Sequence, residues 1–113
     1  MEKNIEIGLL YEFYNSLLTQ KQQYVIDSYY NNDLSLSEIA EEIGISRQGV
    51  QKQIKDAETV LFNYEEKLQL LQKFLENKKV IDSIYDSLDS LKNDKNNVEE
   101  NIENIKKKLK QIN

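Results

Sequence analysis

Apolar residues recur at helical spacings through almost the whole chain, and short polar clusters divide them into segments. In residues 5–18 the apolar side chains fall three or four positions apart, which predicts a first helix. Thr19 with Gln22 three residues later is typical of a capping box, so a second helix is expected over about residues 20–31, ended by the polar cluster at 31–33. The apolar and aromatic residues expected to be buried by this second helix are Tyr24, Val25, Tyr29 and Tyr30.

A short third helix is expected over residues 38–43, with Ser37 as its N-cap. Gly44 is expected to end it, because only glycine enters a left-handed C-terminal cap without penalty. The apolar residues of this helix share one face, and they are Ile39, Ala40 and Ile43.

A long fourth helix is expected to begin after its N-cap Ser46 and to run from residue 47 to about residue 76, since no proline interrupts it. Its apolar positions alternate in spacings of four and three, which is a heptad seam: Val50, Ile54, Ala57, Leu61, Tyr64, Leu68, Leu71 and Leu75. A second seam has one polar member, Lys95: Ile81, Ile84, Leu88, Leu91, Lys95, Val98, Ile102, Ile105, Leu109 and Ile112.

The two seams do not join in phase. The step from Leu75 to Ile81 is six residues, which fits neither repeat, so a break is expected at residues 77–79. Two forms of this break are compatible with the pattern: a turn that folds the last helix back, or a register shift in a continuous rod.

Such seams need a surface to cover them, because isolated helices are marginal in water. Self-association or docking onto the N-terminal helices would provide one, and a homodimer is the expected form. The residues expected at the dimer contact are Leu61, Tyr64, Leu68, Leu71, Leu75, Ile84, Leu88 and Leu91.

Composition narrows the class of protein. The 113 residues contain no Pro and three Gly, which together with 31% charged residues favours an all-α fold. We expect a helix-turn-helix domain over residues 1–60, with the helix-turn-helix at about 36–57, and a helical extension over residues 61–113.

Without Cys or His there is no disulfide, zinc finger, catalytic thiol or Ser-His-Asp triad, and no cofactor is expected. No apolar run approaches the length of a membrane span and no signal peptide is recognisable, so a cytoplasmic protein is expected.

The helix-turn-helix pattern lies in residues 36–55. This motif needs a small residue where its two helices cross and a glycine at the turn. Ala40 is the crossing residue, and Gly44 follows four positions later. At the last anchor position stands Gln53, and the apolar residue is Ile54 instead. The remaining anchors are Ile39, Ile43, Ile45 and Val50.

The second helix of such a motif enters the major groove of DNA by its N-terminal end. Arg and Lys side chains can read guanine, Gln can read adenine, and a helix N-terminus favours a phosphate. The expected DNA contacts are Ser46, Arg47, Gln48, Gln51, Lys52 and Lys55. Gly49 stands out among them, because glycine weakens the first turn and offers no contact.

Charge limits the affinity to be expected. The formal net charge is -5, and residues 1–60 carry 5 basic and 10 acidic side chains. Residues 46–57 nevertheless carry three basic residues and one acidic residue, a net charge of +2. Carboxylates of the preceding helix, Glu38, Glu41 and Glu42, would repel phosphates. We therefore expect weak binding per subunit, which a dimer could strengthen by engaging two half-sites.

Residues 19–58 resemble the fourth region of sigma-70-type sigma factors, in the Leu-Thr-x-Lys-Gln opening at 18–22 and the Gly-Ile-Ser-Arg turn at 44–47. A closer resemblance, over about residues 5–90, is to the YlxM family of small helix-turn-helix proteins. It is carried by the Ser-Arg-Gln-x-Val run at 46–50, the Ile-Lys-x-x-Glu run at 54–58, and the Lys-Leu-x-Leu-Leu start of the long helical tail at 67–71.

This resemblance implies an all-helical protein that binds DNA through its helix-turn-helix. Genes of the family typically lie beside those of the signal recognition particle GTPase and its receptor. It therefore implies a role, proposed to be regulatory, in that protein-targeting pathway, with signal recognition particle components as possible partners.

Two other functions compete with a DNA-binding regulator. The acidic first half and the long heptad tail would suit a protein- or RNA-interaction module that keeps the helix-turn-helix as a scaffold. An enzyme could be imagined around Glu38, Glu41 and Glu42, which share a helix surface. Since the chain has no His and no signal of a pocket, a solvated helix face is the simpler interpretation, and no enzymatic activity is expected.

Overall fold

The structure is a computed structural model that describes residues 1–93 and 95–112. In this part of the chain all regular elements are helical, which confirms the all-α fold class. The six α-helices are α1 (Lys3–Tyr14), α2 (Gln20–Ile26), α3 (Leu36–Ile43), α4 (Arg47–Leu68), α5 (Leu70–Asn93) and α6 (Val98–Lys110). A short 3₁₀ turn, Asn15–Leu17, follows α1, and a π-helical turn, Asp27–Asn31, follows α2. The chain forms two compact units, Met1–Leu71 and Gln72–Asn113.

In the first unit, α1, α2 and α3 all pack on α4. The heptad seam of α4 supplies the centre of this core, because Val50, Ala57 and Leu61 are fully buried. The helices around it contribute further buried side chains: Ile7, Leu10, Tyr14, Leu18, Val25, Ile26, Ile39 and Ala40.

The expected capping box of α2 is confirmed. The N–H of Gln22 donates to Thr19 Oγ1 at 3.2 Å, and the N–H of Thr19 donates to Gln22 Oε1 at 2.9 Å. The predicted burial of this helix was partly wrong, because Tyr24 and Tyr29 lie on the surface, while Val25 and Ile26 face the core. The reason is that a tyrosine hydroxyl needs a polar partner, which Tyr24 finds in a glutamate of α3 at the surface.

Of the two forms of break that the spacing allows at residues 77–79, the turn is wrong, because α5 is continuous through these residues, and the six-residue step is a shift of register within one helix. The long helix expected to run to about residue 76 instead ends at Leu68, and the chain breaks at Gln69, whose backbone is left-handed with φ of 55°. Two side chains of the first unit stabilise it. The hydroxyl of Tyr14 donates to Glu65 at 2.6 Å and accepts the N–H of Leu70 at 3.1 Å.

Glu65 completes this arrangement by accepting the N–H of Leu71 at 3.0 Å. The first two amide groups of α5 therefore find partners in a hydroxyl and a carboxylate, as at a capped helix N-terminus. Tyr64 stacks on Tyr14, with ring centroids 6.0 Å apart. None of these long-range contacts could be read from the heptad spacing, which continues in phase across Gln69.

The second unit contains the greater part of α5 and all of α6. The second seam is interrupted after Asn93, and the polar residues Asn96 and Asn97 form a turn before α6 begins. Lys95, the polar member of the seam, precedes this turn, so the seam does not continue as one helix through it. Ile84 of α5 and Ile105 of α6 are buried, and Lys108 Nζ donates to Ser87 Oγ at 2.9 Å. None of the helices described in residues 1–93 and 95–112 has the length and apolar character of a membrane-spanning segment.

Candidate nucleic-acid interface

The turn between α3 and α4 has the geometry that the helix-turn-helix pattern predicts. Gly44 adopts a left-handed conformation with φ of 72° and ψ of 35°, which confirms its role as the C-terminal cap of α3. The N–H groups of Gly44 and Ile45 both donate to Ala40 O, at 2.9 and 3.2 Å. The chain thus reverses directly after the small residue at the crossing.

Both helices of the motif begin at a serine cap. Ser46 Oγ accepts the N–H of Gly49 at 3.0 Å, which confirms Ser46 as the N-cap of α4. For α3 the expected cap Ser37 is wrong, and the cap is Ser35. Ser35 and Glu38 form a reciprocal capping box, with distances of 3.1 and 3.2 Å, so the helix begins one half-turn earlier than expected.

The apolar anchors hold α3 against α4, and the last anchor lies one residue later in the chain than the motif expects. Ile39 and Val50 are fully buried, whereas Ile43 and Ile45 are half-buried, so Ile45 is less buried than expected. Ile54 is buried and takes the place of an apolar residue at position 53. Gln53 is half-buried, and its Oε1 is buried without a hydrogen-bond partner among the described residues.

The side chains expected to contact DNA form one exposed surface on α4. At 100° per residue, the five helical ones span an arc of about 140° around the axis, away from the buried seam. Ser46 directly precedes these five residues along the chain, at the helix N-terminus. All six are exposed, and we call this surface the recognition surface: Ser46, Arg47, Gln48, Gln51, Lys52 and Lys55.

Some polar groups of the recognition surface already have partners within the chain. Lys52 Nζ lies 3.1 Å from Asp56 Oδ2, one turn further along α4, and both side chains are exposed. Such a surface ion pair is weak and can be exchanged for a phosphate at little cost. The hydroxyl oxygen of Ser46 accepts the capping bond, but its hydrogen remains available to a phosphate oxygen.

The carboxylates of α3 have structural partners that sequence reasoning missed. Glu38 belongs to the capping box, and Glu42 accepts a hydrogen bond from the Tyr24 hydroxyl of α2. The Ser-x-x-Glu pattern at 35–38 was the sequence signal for the first of these, and no comparable signal marks the second. Glu41 is exposed. In the part of the chain that the structure describes, no group of three acidic residues could hold a metal ion.

Glu58 on α4 is a further carboxylate that stabilises the fold. It is buried, accepts a hydrogen bond from the Tyr30 hydroxyl and pairs with Lys3 of α1 at 3.2 Å. Burial, and next the hydrogen bond to Glu58, raise the pKa of Tyr30 above its ordinary value of 10.0. This charged pair ties α1 and the π-helical turn to the core helix that carries the recognition surface.

Gly49 stands where a side chain would crowd the start of α4. A Cβ atom at this position would lie 3.2 Å from Ser46 Oγ and 3.3 Å from Ile45 Cδ1, closer than ordinary van der Waals contact. The glycine thus gives the N-cap hydroxyl and the half-buried Ile45 room beside the first turn of α4.

The residues expected at a dimer contact are distributed between the core and the surface. Leu61, Leu71 and Ile84 are buried within the chain itself. Tyr64, Leu75 and Leu91 are half-buried, and Leu68 and Leu88 are exposed. The five that are half-buried or exposed stay accessible to a partner, and a dimer contact through this set stays a prediction.

Comparison with known proteins gives one family for this chain. The family model of UPF0122, described as "Putative helix-turn-helix protein, YlxM / p13 like", matches residues 1–105. UPF0122 proteins of Bacillus cereus strain AH187, Bacillus anthracis strain A0248 and Bacillus thuringiensis subsp. konkukian strain 97-27 are each similar to it at 52% identity over 81 residues. The aligned part covers 72% of this chain and 74% of each relative.

Proposed function

We propose that this chain, which belongs to the UPF0122 family of YlxM/p13-like helix-turn-helix proteins, binds DNA and regulates transcription without enzymatic activity. The observation that carries the proposal is the recognition surface, because six polar and basic side chains lie together at the exposed start of α4. The αL turn at Gly44 and the buried anchors hold α3 and α4 in the arrangement that such a reader needs.

In the proposed complex the N-terminal end of α4 enters the major groove. Arg47 would read a guanine edge, and Gln48 and Gln51 would read adenine. Lys52 and Lys55 lie further along the same arc and would neutralise phosphates, with Lys52 released from Asp56. The N–H groups of the first turn and the Ser46 hydroxyl would hold a phosphate at the helix N-terminus.

The electrostatics predict weak binding by one subunit. Only three basic residues lie on the recognition surface, and the preceding helix α3 carries an exposed carboxylate, Glu41. Because phosphate neutralisation provides most of the affinity of such proteins, we expect binding that falls steeply with salt. Two subunits that engage neighbouring half-sites would recover affinity through effective concentration.

The test is binding to DNA from upstream of the chain's own operon, measured by fluorescence anisotropy at low and moderate salt. Arg47→Ala is expected to weaken binding by about fivefold to 150-fold, which corresponds to the loss of one base contact of about 1–3 kcal/mol. Lys67→Ala, at the far end of the same helix, is the matched control and should bind as the native chain does. Binding that is absent at micromolar protein, or equal in Arg47→Ala and Lys67→Ala, would contradict the proposal.

The resemblance to YlxM proteins adds the cellular setting of this proposal, a cytoplasmic regulator linked to the signal recognition particle pathway. A second function is favoured by the acidic balance of residues 1–60, which suits a protein- or RNA-interaction module of that pathway. A pull-down with the particle's RNA and protein components, in nuclease-treated and untreated samples, separates the two. Recovery of these components without DNA, by a chain that binds no DNA, would favour the second function.

A further inference from the structure

The hairpin formed by α5 and α6 in the second unit leaves apolar side chains open on both helices. Within the hairpin, Ile84 and Ile105 are the buried pair, and Lys108 Nζ bonds to Ser87 Oγ beside them. Five other apolar residues of the second seam, together with Tyr85 of α5, are substantially exposed, from 36% at Val98 to 65% at Tyr85, whereas Leu91 and Ile112 are half-buried. We call the following set the open face: Ile81, Tyr85, Leu88, Val98, Ile102 and Leu109.

Helical geometry places all of these residues on one side of the hairpin. At 100° per residue, Ile81, Leu88 and Tyr85 are rotated from Ile84 by about 60°, 40° and 100° in one sense. Val98, Ile102 and Leu109 are rotated from Ile105 by about 20°, 60° and 40° in the same sense. Since α5 and α6 are antiparallel, equal rotations about their own axes point the two stripes to the same side.

A two-helix hairpin can bury only the strip along which its helices touch. A second layer is needed to cover the remaining apolar stripes, and two hairpins that face each other form a four-helix bundle. Contiguous exposed apolar surface of this extent marks an interaction site in a soluble protein. The open face is therefore one half of a core.

The charges of the hairpin indicate which partner covers the open face. Because Lys108 of α6 lies against Ser83 and Ser87 of α5, the half near the turn is residues 88–103, which carries five acidic residues and two lysines. The opposite half, residues 72–87 with residues 104–112, carries seven lysines and three acidic residues. The hairpin thus has an acidic end at its turn and a basic end opposite, so a second copy turned through 180° matches each end with its complement.

We propose that the open face binds the same face of a second copy, with the acidic turn end of each hairpin against the basic end of the other. The result is a two-fold symmetric four-helix bundle made of two α5 and two α6 helices. A parallel arrangement is disfavoured, because it places acidic ends together and basic ends together. This surface differs from the heptad set expected from sequence, since Leu61, Leu71 and Ile84 stay in the core of the chain.

The proposal does not depend on DNA binding, because it involves the second unit alone. The first test is sedimentation velocity of the full chain, without DNA, from low to high micromolar concentration. A reversible dimer is expected. A native chain that remains a monomer throughout this range would overturn the proposal and assign the open face to a different protein.

Substitutions on opposite faces of α5 test the surface. Leu88→Glu puts a carboxylate into the open face, and pairing would have to bury it, so the dimer is expected to weaken about a hundredfold. Ser90→Glu adds the same charge to the opposite, exposed face. It is expected to change the dissociation constant of the dimer less than about threefold, because a solvent-exposed charge interacts only weakly with its surroundings. Equal weakening by both variants, with helicity retained in circular dichroism, would exclude the open face as the contact.

Single cysteines test the orientation and leave the open face intact, since the chain has no cysteine of its own. Lys95→Cys marks the turn end and Gln111→Cys marks the opposite end. Each variant alone is expected to give little disulfide-linked dimer on mild oxidation, whereas an equal mixture of the two should link efficiently. Efficient linkage of Lys95→Cys with itself would show a parallel pair and overturn the proposed arrangement.

Discussion

The two units of this chain solve the burial of apolar residues in different ways. Among the described residues, thirteen of the fifteen buried apolar side chains lie in the first unit and two, Ile84 and Ile105, in the second. The first unit surrounds α4 with three helices, whereas the second has one helix against another. A heptad seam alone therefore does not show where a helix will be covered, because the same spacing leads to a closed core in α4 and to an open face in α5.

Polar contacts follow the same division. Three tyrosine hydroxyls of the first unit donate to glutamates on other helices or turns: Tyr14 to Glu65, Tyr24 to Glu42 and Tyr30 to Glu58. These bonds join elements far apart in sequence and leave apolar packing undisturbed. The second unit is joined by contacts of Lys108 with Ser83 and Ser87. Because the core of the first unit is closed within one chain, this unit should unfold independently of protein concentration. The second unit leaves its open face for a second copy, so self-association should stabilise it.

Alkaline pH is expected to have the largest effect, because it acts on several tyrosines of the first unit at once. Burial is the main cause that raises the pKa of Tyr11, Tyr14 and Tyr30 above the ordinary value of 10.0. A raised folded-state pKa means that the protonated form is stabilised, so this stability is complete below pH 10 and is lost as the pH rises through the folded-state values.

Urea unfolding on either side of pH 10, followed by near-ultraviolet circular dichroism, measures this loss. Tyr30→Phe should make the free energy of unfolding less dependent on pH in this range. An unfolding free energy that stays constant as the solution is made alkaline would refute the assignment of these tyrosines to a protonated, buried network.

A cavity in the closed core should cost more than one in the hairpin. Leu61→Ala removes a fully buried side chain that is surrounded on all sides, and it should lower the free energy of unfolding by about 3 kcal/mol. Ile84→Ala, covered by a single helix, should cost about 1–2 kcal/mol in the monomer. Chemical denaturation at low protein concentration measures both, and equal costs would break the contrast between the units.

The bond network at the start of α5 is expected to contribute somewhat less. Tyr14→Phe removes the hydroxyl that donates to Glu65 and accepts the N–H of Leu70, so the free energy of unfolding should fall by about 2 kcal/mol. Tyr85→Phe removes the same group from an exposed tyrosine and should leave stability within about 0.5 kcal/mol of the native value. Similar losses in the two variants would mean that the network does not stabilise the break at Gln69.

The smallest effect, and the one stabilising change, is expected at position 53. Gln53→Leu replaces a buried amide oxygen by an apolar group at the position where the helix-turn-helix pattern expects an anchor. We expect the free energy of unfolding to rise by about 1 kcal/mol. Gln48→Leu, on the exposed recognition surface, is the control and should give no such gain. Thermal unfolding of the two variants distinguishes them, and a destabilised Gln53→Leu would show that the amide is needed where it lies.

Local signals in the sequence predicted the local parts of this fold. Thr19 with Gln22, Gly44, and Ser46 mark helix ends through bonds that span a few residues, and the structure confirms all three. The break at Gln69 was not predicted, because its partners, Tyr14 and Glu65, come together only in the folded core. The exposure of Tyr24 was missed for the same reason, since its partner Glu42 lies on another helix.

The recognition surface was accessible to sequence reasoning as a set of positions, because helical periodicity alone puts Arg47, Gln51 and Lys55 on one face. The hydrogen-bond partners of the carboxylates on the preceding helix α3 were not accessible in this way. The sequence predicts that Glu38 and Glu42 repel DNA phosphates, whereas in the structure Glu38 caps its own helix and Glu42 bonds to α2. The spacing of residues shows which face a side chain is on, and the tertiary structure shows whether that side chain is already engaged.

The uninterrupted course of α5 through residues 77–79 has a consequence for how the length of this chain can change. The six-residue step between the seams rotates the second stripe by about 120° from the first, so one helix serves two separate faces. An insertion of one residue near Lys78 would turn Ile81 and Leu88 by a further 100° or so relative to Leu75 on the same helix, whereas an insertion of seven would return them almost to their place. Only insertions of whole heptads therefore preserve the angle between the two stripes of α5, while residues added singly at the turn of Asn96 and Asn97 leave it unchanged.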